Sequence, residues 1–322
     1  MNIAIILWRK RLTIVIAHRG ASGYLPEHTL SAAAFAYALG ADYIEQDVVL
    51  SRDSYPVVLH DVHLDQVTNV KNKFPDRSRV DGRWYARDFD LLELKQLTVH
   101  ERAQLDGSGA VFPKRFPYGQ GNFQIPTLQE EIDLIKGLNQ STGRNVGIYP
   151  EIKKPAWHRN EGADISKIVL EVLSKNNYES PADNIFLQCF DSKELKRIKN
   201  TLNSSLPLIQ LIGSNSWKES DDDYDLMLTK KGVKNISYYA TGVGPYLQLL
   251  FQSSVTNNNI QPSVFSQFVR ENNLLIHPYT FREDAVPLAF KDFPEMVSWF
   301  AGTLNVDGMF TDFVDKTVNL LE

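Results

Sequence analysis

The chain has 322 residues, a single cysteine and a formal charge of −5 from 34 basic and 39 acidic side chains. A chain of that length buries a full core without staples, and its charge offers no basic field to nucleic acid or an anionic membrane. The lone Cys189 excludes a disulfide framework and any zinc site built on several thiolates, and no apolar run approaches the ~20 residues of a membrane helix, so stable membrane insertion is not expected.

Residues 3–8 are apolar and Arg9-Lys10-Arg11 follow them. A secretory signal carries its basic residues ahead of the apolar core. Here the order is reversed, so residues 1–12 are expected to form a loosely docked or disordered leader. After it, short apolar, β-rich runs fall at 13–17, 43–48, 146–149, 185–188, 208–212, 236–241, 274–278 and 306–310. Stretches of helical period lie between most of them, at 31–39, 128–138, 165–174, 192–202, 262–271 and 294–301. Eight strands alternating with helices predict an α/β fold, a closed (β/α)8 TIM barrel over 13–322. An open doubly wound sheet is the alternative. No Gly-x-Gly-x-x-Gly follows any of these runs, which argues against it.

Two stretches break the alternation. The run 56–60 follows Asp47 too closely for a crossover helix, so the two runs form a hairpin turning near 52–55. A turn centred between Asp53 and Ser54 pairs Asp47 with His60. Residues 62–125 then hold few strand runs and many polar, aromatic and basic residues. A structureless loop of that length is unusual. The stretch reads as a small inserted subdomain at the barrel mouth, with one short helix at 91–97.

Barrel enzymes carry their chemistry at the C-terminal ends of the strands. The first run ends in His18-Arg19 and the second in Glu45-Gln46-Asp47, with His60 returned by the hairpin; the third ends in Glu151-Ile152-Lys153. Glu45 and Asp47, two apart on a strand, share a face, where two like charges repel and raise each other's pKa unless a cation sits between them; a pair of solvated strand-end acids is the alternative. With Glu151 they supply three hard oxygen ligands, which suit Ca²⁺ or Mg²⁺ above zinc. His18 and His60 have the titration range of an acid and a base in a displacement at phosphorus. Arg19 and Lys153 either clamp the nonbridging oxygens of a phosphodiester or neutralise the acids locally. Gln188, His277 and Tyr279, at later strand ends, are candidate pocket residues, as is Asp312; for His277 and Asp312 a structural role is as good a reading. Cys189 has no adjacent base and reads as a packing residue. The acidic run 221–225 lacks the glycine and terminal glutamate of an EF-hand loop and reads as a solvated loop.

His18-Arg19-Gly20-Ala21-Ser22-Gly23, with Pro26-Glu27-His28-Thr29 just after it, resembles the opening signature of the glycerophosphodiester phosphodiesterases. Glu45-Gln46-Asp47, Val58-Leu59-His60-Asp61 and Glu151-Ile152-Lys153 are similar to that family's further motifs. Tyr149-Pro150-Glu151-Ile152-Lys153, Leu187-Gln188-Cys189-Phe190 and the long stretch after Asp61 resemble its bacterial periplasmic, calcium-dependent subtype. The resemblance runs from about Ile14 to the end of the chain. It implies a TIM barrel with a small inserted domain. It implies hydrolysis of small-molecule glycerophosphodiesters, glycerophosphocholine and glycerophosphoethanolamine among them, to sn-glycerol 3-phosphate and the free alcohol. It further implies one divalent cation, Ca²⁺ favoured over Mg²⁺, on Glu45, Asp47 and Glu151, with His18 and His60 as base and acid and Arg19 and Lys153 as phosphate clamps. A periplasmic location is implied too, with the cytoplasm as the alternative because the leader does not have the order of a signal peptide. Two other readings stand beside this one. Related barrels cleave phosphoinositides or sphingomyelin-type lipids, which would need an apolar docking rim that is not evident here. A binding protein that lost turnover is the other, and the intact histidines and acids argue against it.

Overall fold

The computed structural model describes residues 12–253 and 260–322. The leader expected at 1–12 lies, Leu12 apart, outside the described residues. The strands are β1 (Ile14–Ala17), β2 (Tyr43–Leu50), β3 (Pro56–Val58), β4 (Gly147–Ile152), β5 (Leu187–Cys189), β6 (Leu208–Ile212), β7 (Gly242–Pro245), β8 (Phe251–Ser253), β9 (Ile260–Pro262), β10 (Leu275–Ile276) and β11 (Gly308–Thr311). Eight of them are parallel neighbours in the order β10-β7-β6-β5-β4-β2-β1-β11. Backbone bonds from Asp307 N to the Ile276 carbonyl (3.0 Å) and from Phe310 N to the Pro278 carbonyl (3.1 Å) bridge the two ends. The expected TIM barrel is therefore the architecture; β3 is a hairpin return on β2, and β8–β9 is a separate antiparallel pair.

Strand alternation stacks the interior in layers. Ile16, Tyr149, Ile209 and Phe310 form a buried apolar plug inside the barrel. Two residues further along three of those strands stand His18, Glu151 and Asp312. The polar layer thus begins one step above the plug, at the C-terminal rim. The opposite faces of β2 and β4, with Ile44, Val48, Ile148 and Ile152, pack against the outer helices. The longest helix, Leu128–Thr142, shows how local sequence sets those helices. Thr127 and Glu130 close a capping box at its start, and Gly143 ends it at a left-handed φ of 72°.

Two expectations need correction. The run 236–241 is not a strand: Ile236 ends the helix Lys230–Ile236, and the strand is Gly242–Pro245. Crowding explains the unpromising Gly-Val-Gly-Pro there, because a Cβ on Gly242 would stand 2.8 Å from Leu275 and 2.9 Å from Ile209. The hairpin register also differs by one residue. Val48 faces Val58 and Leu50 faces Pro56, so Asp47 sits opposite Leu59, whose N–H donates to the Asp47 carbonyl (2.8 Å). β3 ends at Val58, and His60 escapes the strict alternation that would have turned it outward.

Residues 62–125 hold only short helical turns, and the helix expected at 91–97 is Leu91–Leu94. They gather around their own apolar cluster of Leu64, Val70, Trp84, Phe89 and Leu94, which Val49 and Val57 join from the hairpin. No helix among the described residues is long and apolar enough to cross a membrane.

Gln46, facing outward on β2, donates to Glu131 Oε1 (3.0 Å) from beneath the helix Leu128–Thr142. Burial, with a smaller push from Asp47, raises the Glu131 carboxyl to about 8. An acid raised on folding is bound to its proton more tightly in the native state. Its stabilising contribution is therefore complete below ~4.5 and is lost as pH climbs through about 8. Glu131→Gln should accordingly be more stable than wild type at pH 8.5 by roughly 2–4 kcal/mol, with the gap closing toward pH 4.5. Urea unfolding at the two pH values reads this; a gap independent of pH would rule it out.

Candidate active site

The polar layer opens into a cavity of about 340 Å³ whose lining includes His18, Arg19, Glu45, Asp47, His60, Glu151, Lys153, Gln188 and Tyr279. The turn after β1 is unusual. Arg19 is a non-glycine residue at a left-handed φ of 60°, and Gly20 follows at 78°. A Cβ on Gly20 would lie 2.8 Å from the Ala32 backbone. This turn aims the Arg19 N–H at Glu45 Oε2 (2.9 Å). Gln188 Nε2 holds the other Glu45 oxygen (2.8 Å), His28 Nε2 meets Asp47 Oδ2 (2.7 Å), and Lys153 Nζ pairs with Glu151 Oε1 (2.8 Å).

One oxygen from each of Glu45, Asp47 and Glu151 lies within 4.8 Å of the others, all three residues buried. Asp47 Oδ1 is buried with no hydrogen-bond partner. Buried acceptors without a partner are rare, and three hard oxygens with one unclaimed fit a divalent cation. Burial, then repulsion from Asp47, pushes Glu45 well above the usual carboxylate range. Glu151 is raised by burial against the pull of the Lys153 charge. Asp47 goes the other way: burial opposes it, but Lys153, His28 and His60 hold it well below its usual range.

Both imidazoles carry an orienting acid. His18 Nδ1 lies 2.6 Å from Asp312 Oδ1, and His60 Nδ1 lies 2.9 Å from Asp61 Oδ1. With Nδ1–H donating to the carboxylate, each Nε2 faces the cavity. His18 Nε2 is 3.9 Å from Glu45 Oε2, and His60 Nε2 is 3.5 Å from Lys153 Nζ. Burial and the Arg19 charge lower His18 to about 3, and burial with Arg19 and Lys153 lowers His60 to about 4. The acids are themselves anchored. Asp312 accepts from Arg115 (2.7 Å) and Arg282 (2.8 Å), and Arg102 reaches both Asp61 (2.7 Å) and Glu27 (2.6 Å).

The structure thus brings together His18, His60, Glu45, Asp47, Glu151, Arg19, Lys153, Gln188 and Tyr279. It does not bring His277. That ring sits one layer down, 1% exposed, with Nδ1 in a 2.8 Å hydrogen bond to the Tyr149 hydroxyl. Cys189 is buried, its thiol pushed up by burial and bonded to the Ile152 carbonyl, which suits packing. In the acidic run, Asp222 and Asp223 accept from neighbouring backbone N–H groups at helix starts. His28, Glu27, Asp61, Arg102, Arg115 and Arg282 were not singled out from sequence as site residues. His28 and Glu27 stand in the Pro-Glu-His-Thr motif, and Asp61 adjoins His60, so a local signal existed for those three. None existed for the three arginines.

A family profile described as the glycerophosphoryl diester phosphodiesterase family matches residues 18–316. A glycerophosphodiester phosphodiesterase of Haemophilus influenzae is 42% identical, covering 96% of this chain and 90% of its own. Its counterpart in Treponema pallidum is 36% identical, covering 96% and 91%. Among solved structures, a Silicibacter pomeroyi protein superposes with a TM-score of 0.72 at 24% identity, over 97% of this chain and 94% of its own. An Oleispira antarctica phosphodiesterase in complex with its product sn-glycerol-3-phosphate has a TM-score of 0.64 at 20% identity, over 96% and 97%. The two structures support the barrel; with the profile and the two closer relatives in sequence, the chain belongs to the glycerophosphoryl diester phosphodiesterase family of enzymes.

Proposed function

We propose that this enzyme hydrolyses glycerophosphodiesters to sn-glycerol 3-phosphate and the free alcohol, using one divalent cation, Ca²⁺ in preference to Mg²⁺, and two histidines. The observation that carries the reading is the buried carboxylate trio in one cavity with two imidazoles, each oriented by its own acid. Glu45, Asp47 and Glu151 would hold the cation, which when bound supplies positive charge to a nonbridging phosphate oxygen. Arg19 and Lys153 hold the remaining oxygens and offset the charge that builds in the transition state. His18 Nε2 takes the proton of the attacking oxygen as that oxygen bonds to phosphorus. The bond from phosphorus to the alcohol oxygen breaks, and His60 protonates the departing alcoholate. The attacking oxygen belongs to water or to the substrate's own glycerol hydroxyl; the second route passes through a cyclic phosphate and requires that hydroxyl. A neutral His60 cannot donate. Burial, then the Arg19 and Lys153 charges, depress His60; a phosphodiester anion seated against those two cations offsets their part of the shift and raises the imidazole from its unliganded value.

Release of choline from glycerophosphocholine, with the phosphorus product followed by NMR, tests the reading with and without chelator. Chelator-sensitive formation of sn-glycerol 3-phosphate supports it; wild-type protein inert on every glycerophosphodiester overturns it. Asp312 is a positioning residue. Asp312→Asn should lower kcat by roughly 10–100-fold with little change in KM, since the wrong imidazole nitrogen can then carry the proton. A pH–rate profile displaced from that of wild type separates this from a structural defect, which would scale the profile without moving it.

A further inference from the structure

Each carboxylate of the trio has an oxygen already engaged, and the partners differ in where they stand. Gln188 holds Glu45 Oε1 (2.8 Å) and Lys153 holds Glu151 Oε1 (2.8 Å); both line the cavity, within reach of a substrate. His28 holds Asp47 Oδ2 (2.7 Å) from behind, for it is buried and does not line the cavity. Asp47, kept well below its usual range, is a carboxylate that can only accept, so His28 Nε2 carries the hydrogen and donates it.

The local sequence sets this ring in place. His28 precedes Thr29, whose hydroxyl caps the helix Leu30–Ala38 by accepting from Ala32 N (3.1 Å). The His28 backbone N–H donates to the Arg19 carbonyl (3.0 Å), in the same turn whose Arg19 N–H holds Glu45 Oε2 (2.9 Å). Two non-glycine residues at left-handed φ, Arg19 at 60° and His28 at 56°, are thus bonded to each other and serve neighbouring acids. Glycine would be unstrained at such a φ, whereas a side chain there has to be held by its surroundings. The ring of His28 has one use among the described residues: Nδ1 is buried without a hydrogen-bond partner, so the bond to Asp47 is what the side chain contributes.

We infer that His28 is a positioning residue for the divalent cation, because it engages Asp47 Oδ2 and leaves Oδ1 as that residue's free oxygen for the ion. The inference deepens the proposed function and rests on its metal assignment. Without the bond the carboxylate turns about its broad terminal torsion. Ordering it is then left to the ion at the moment of binding, and affinity falls. Hydrogen-bonded partners of ligating groups govern metal affinity in this way.

Calorimetric titration of calcium into chelator-stripped protein reads this without turnover. His28→Ala should bind calcium roughly 10–100-fold more weakly than wild type. His28→Gln, whose amide nitrogen reaches about as far as Nε2, should recover most of the affinity. His28 touches neither ion nor substrate, so saturating calcium should bring kcat of His28→Ala back to within about threefold of wild type with KM unchanged. Circular dichroism in chelator checks that the variant is folded; if it is not, His28→Leu, which fills space without a donor, replaces it in the comparison with His28→Gln. Equal calcium affinity in wild type and the donor-free variant overturns the inference. Equal weakening in the donor-free variant and His28→Gln overturns it too, since packing would then be the cause. A kcat that stays low at saturating calcium does the same, by placing His28 in the reaction itself. None of these outcomes touches the proposed function. A wild type that binds neither calcium nor magnesium removes the metal from that function and this inference with it. A wild type that binds calcium but cleaves no glycerophosphodiester fails the function alone, and the titration still decides His28.

Discussion

His60→Ala and His18→Ala should each lower kcat by roughly 10²–10⁴ while leaving the melting temperature nearly unchanged. The fold is spared because the orienting acids keep other partners. Asp312 stays bonded to Arg115 and Arg282, and Asp61 to Arg102. The two variants should differ in one respect that a general loss of packing cannot imitate. A donor to the leaving group matters only when that group leaves as a strong base. With a p-nitrophenyl ester of glycerol phosphate the leaving phenolate needs no proton, so His60→Ala should recover most of its deficit. His18→Ala should not, because the attacking oxygen must still lose its proton. Steady-state rates on the choline and nitrophenyl substrates read the contrast. Equal deficits on both would remove His60 from the acid role, and recovery by His18→Ala alone would exchange the two assignments.

The parts of this site that sequence exposes are those tied to strand ends. His18, Glu45, Asp47, Glu151 and Lys153 follow from a period of two and a barrel rim, and period-two alternation sets them above Ile16 and Tyr149. His60 was found with a hairpin register that is off by one. It reaches the cavity because the ladder stops at Val58, and no strand pattern contains that fact. His277 fails for the converse reason. It ends a strand as expected, but β10 has only two residues, and the ring belongs to the layer of Tyr149 and not to the rim. Arg102 and Arg115 come from a stretch with neither helical nor strand period, where short turns around Trp84 and Phe89 make the structure. Their partners Glu27, Asp61 and Asp312 lie 75, 41 and 197 residues away in the chain. Pairing over such separations has no signature in a single sequence. β7 was misplaced because its glycines answer to the crowding of Leu275 and Ile209, while its apolar neighbours 236–241 look more like a strand than it does.

Glu45→Gln should remove most of the activity and yet make the metal-free protein more stable. The carboxylate trio is where these effects separate. Burial and repulsion from Asp47 penalise the Glu45 charge, and the amide removes the penalty while keeping the shape. Asp47→Asn should instead destabilise, since that carboxylate is the counter-charge of the buried Lys153 and Arg19 and the hydrogen-bond partner of His28. Both variants should lose kcat by roughly 10²–10³ or more through loss of the cation's charge at the phosphate. Calcium should raise the melting temperature of wild type, because a ligand that binds only the native state stabilises by mass action. It should leave both variants unmoved. Thermal melts in chelator and in calcium, run beside the rate assay, give all the comparisons. A merely structural trio, serving to balance Arg19 and Lys153, makes the opposite prediction for Glu45→Gln: a lower melting temperature in chelator, and no calcium response in wild type. That pattern would end the metal assignment while leaving the family and the barrel untouched.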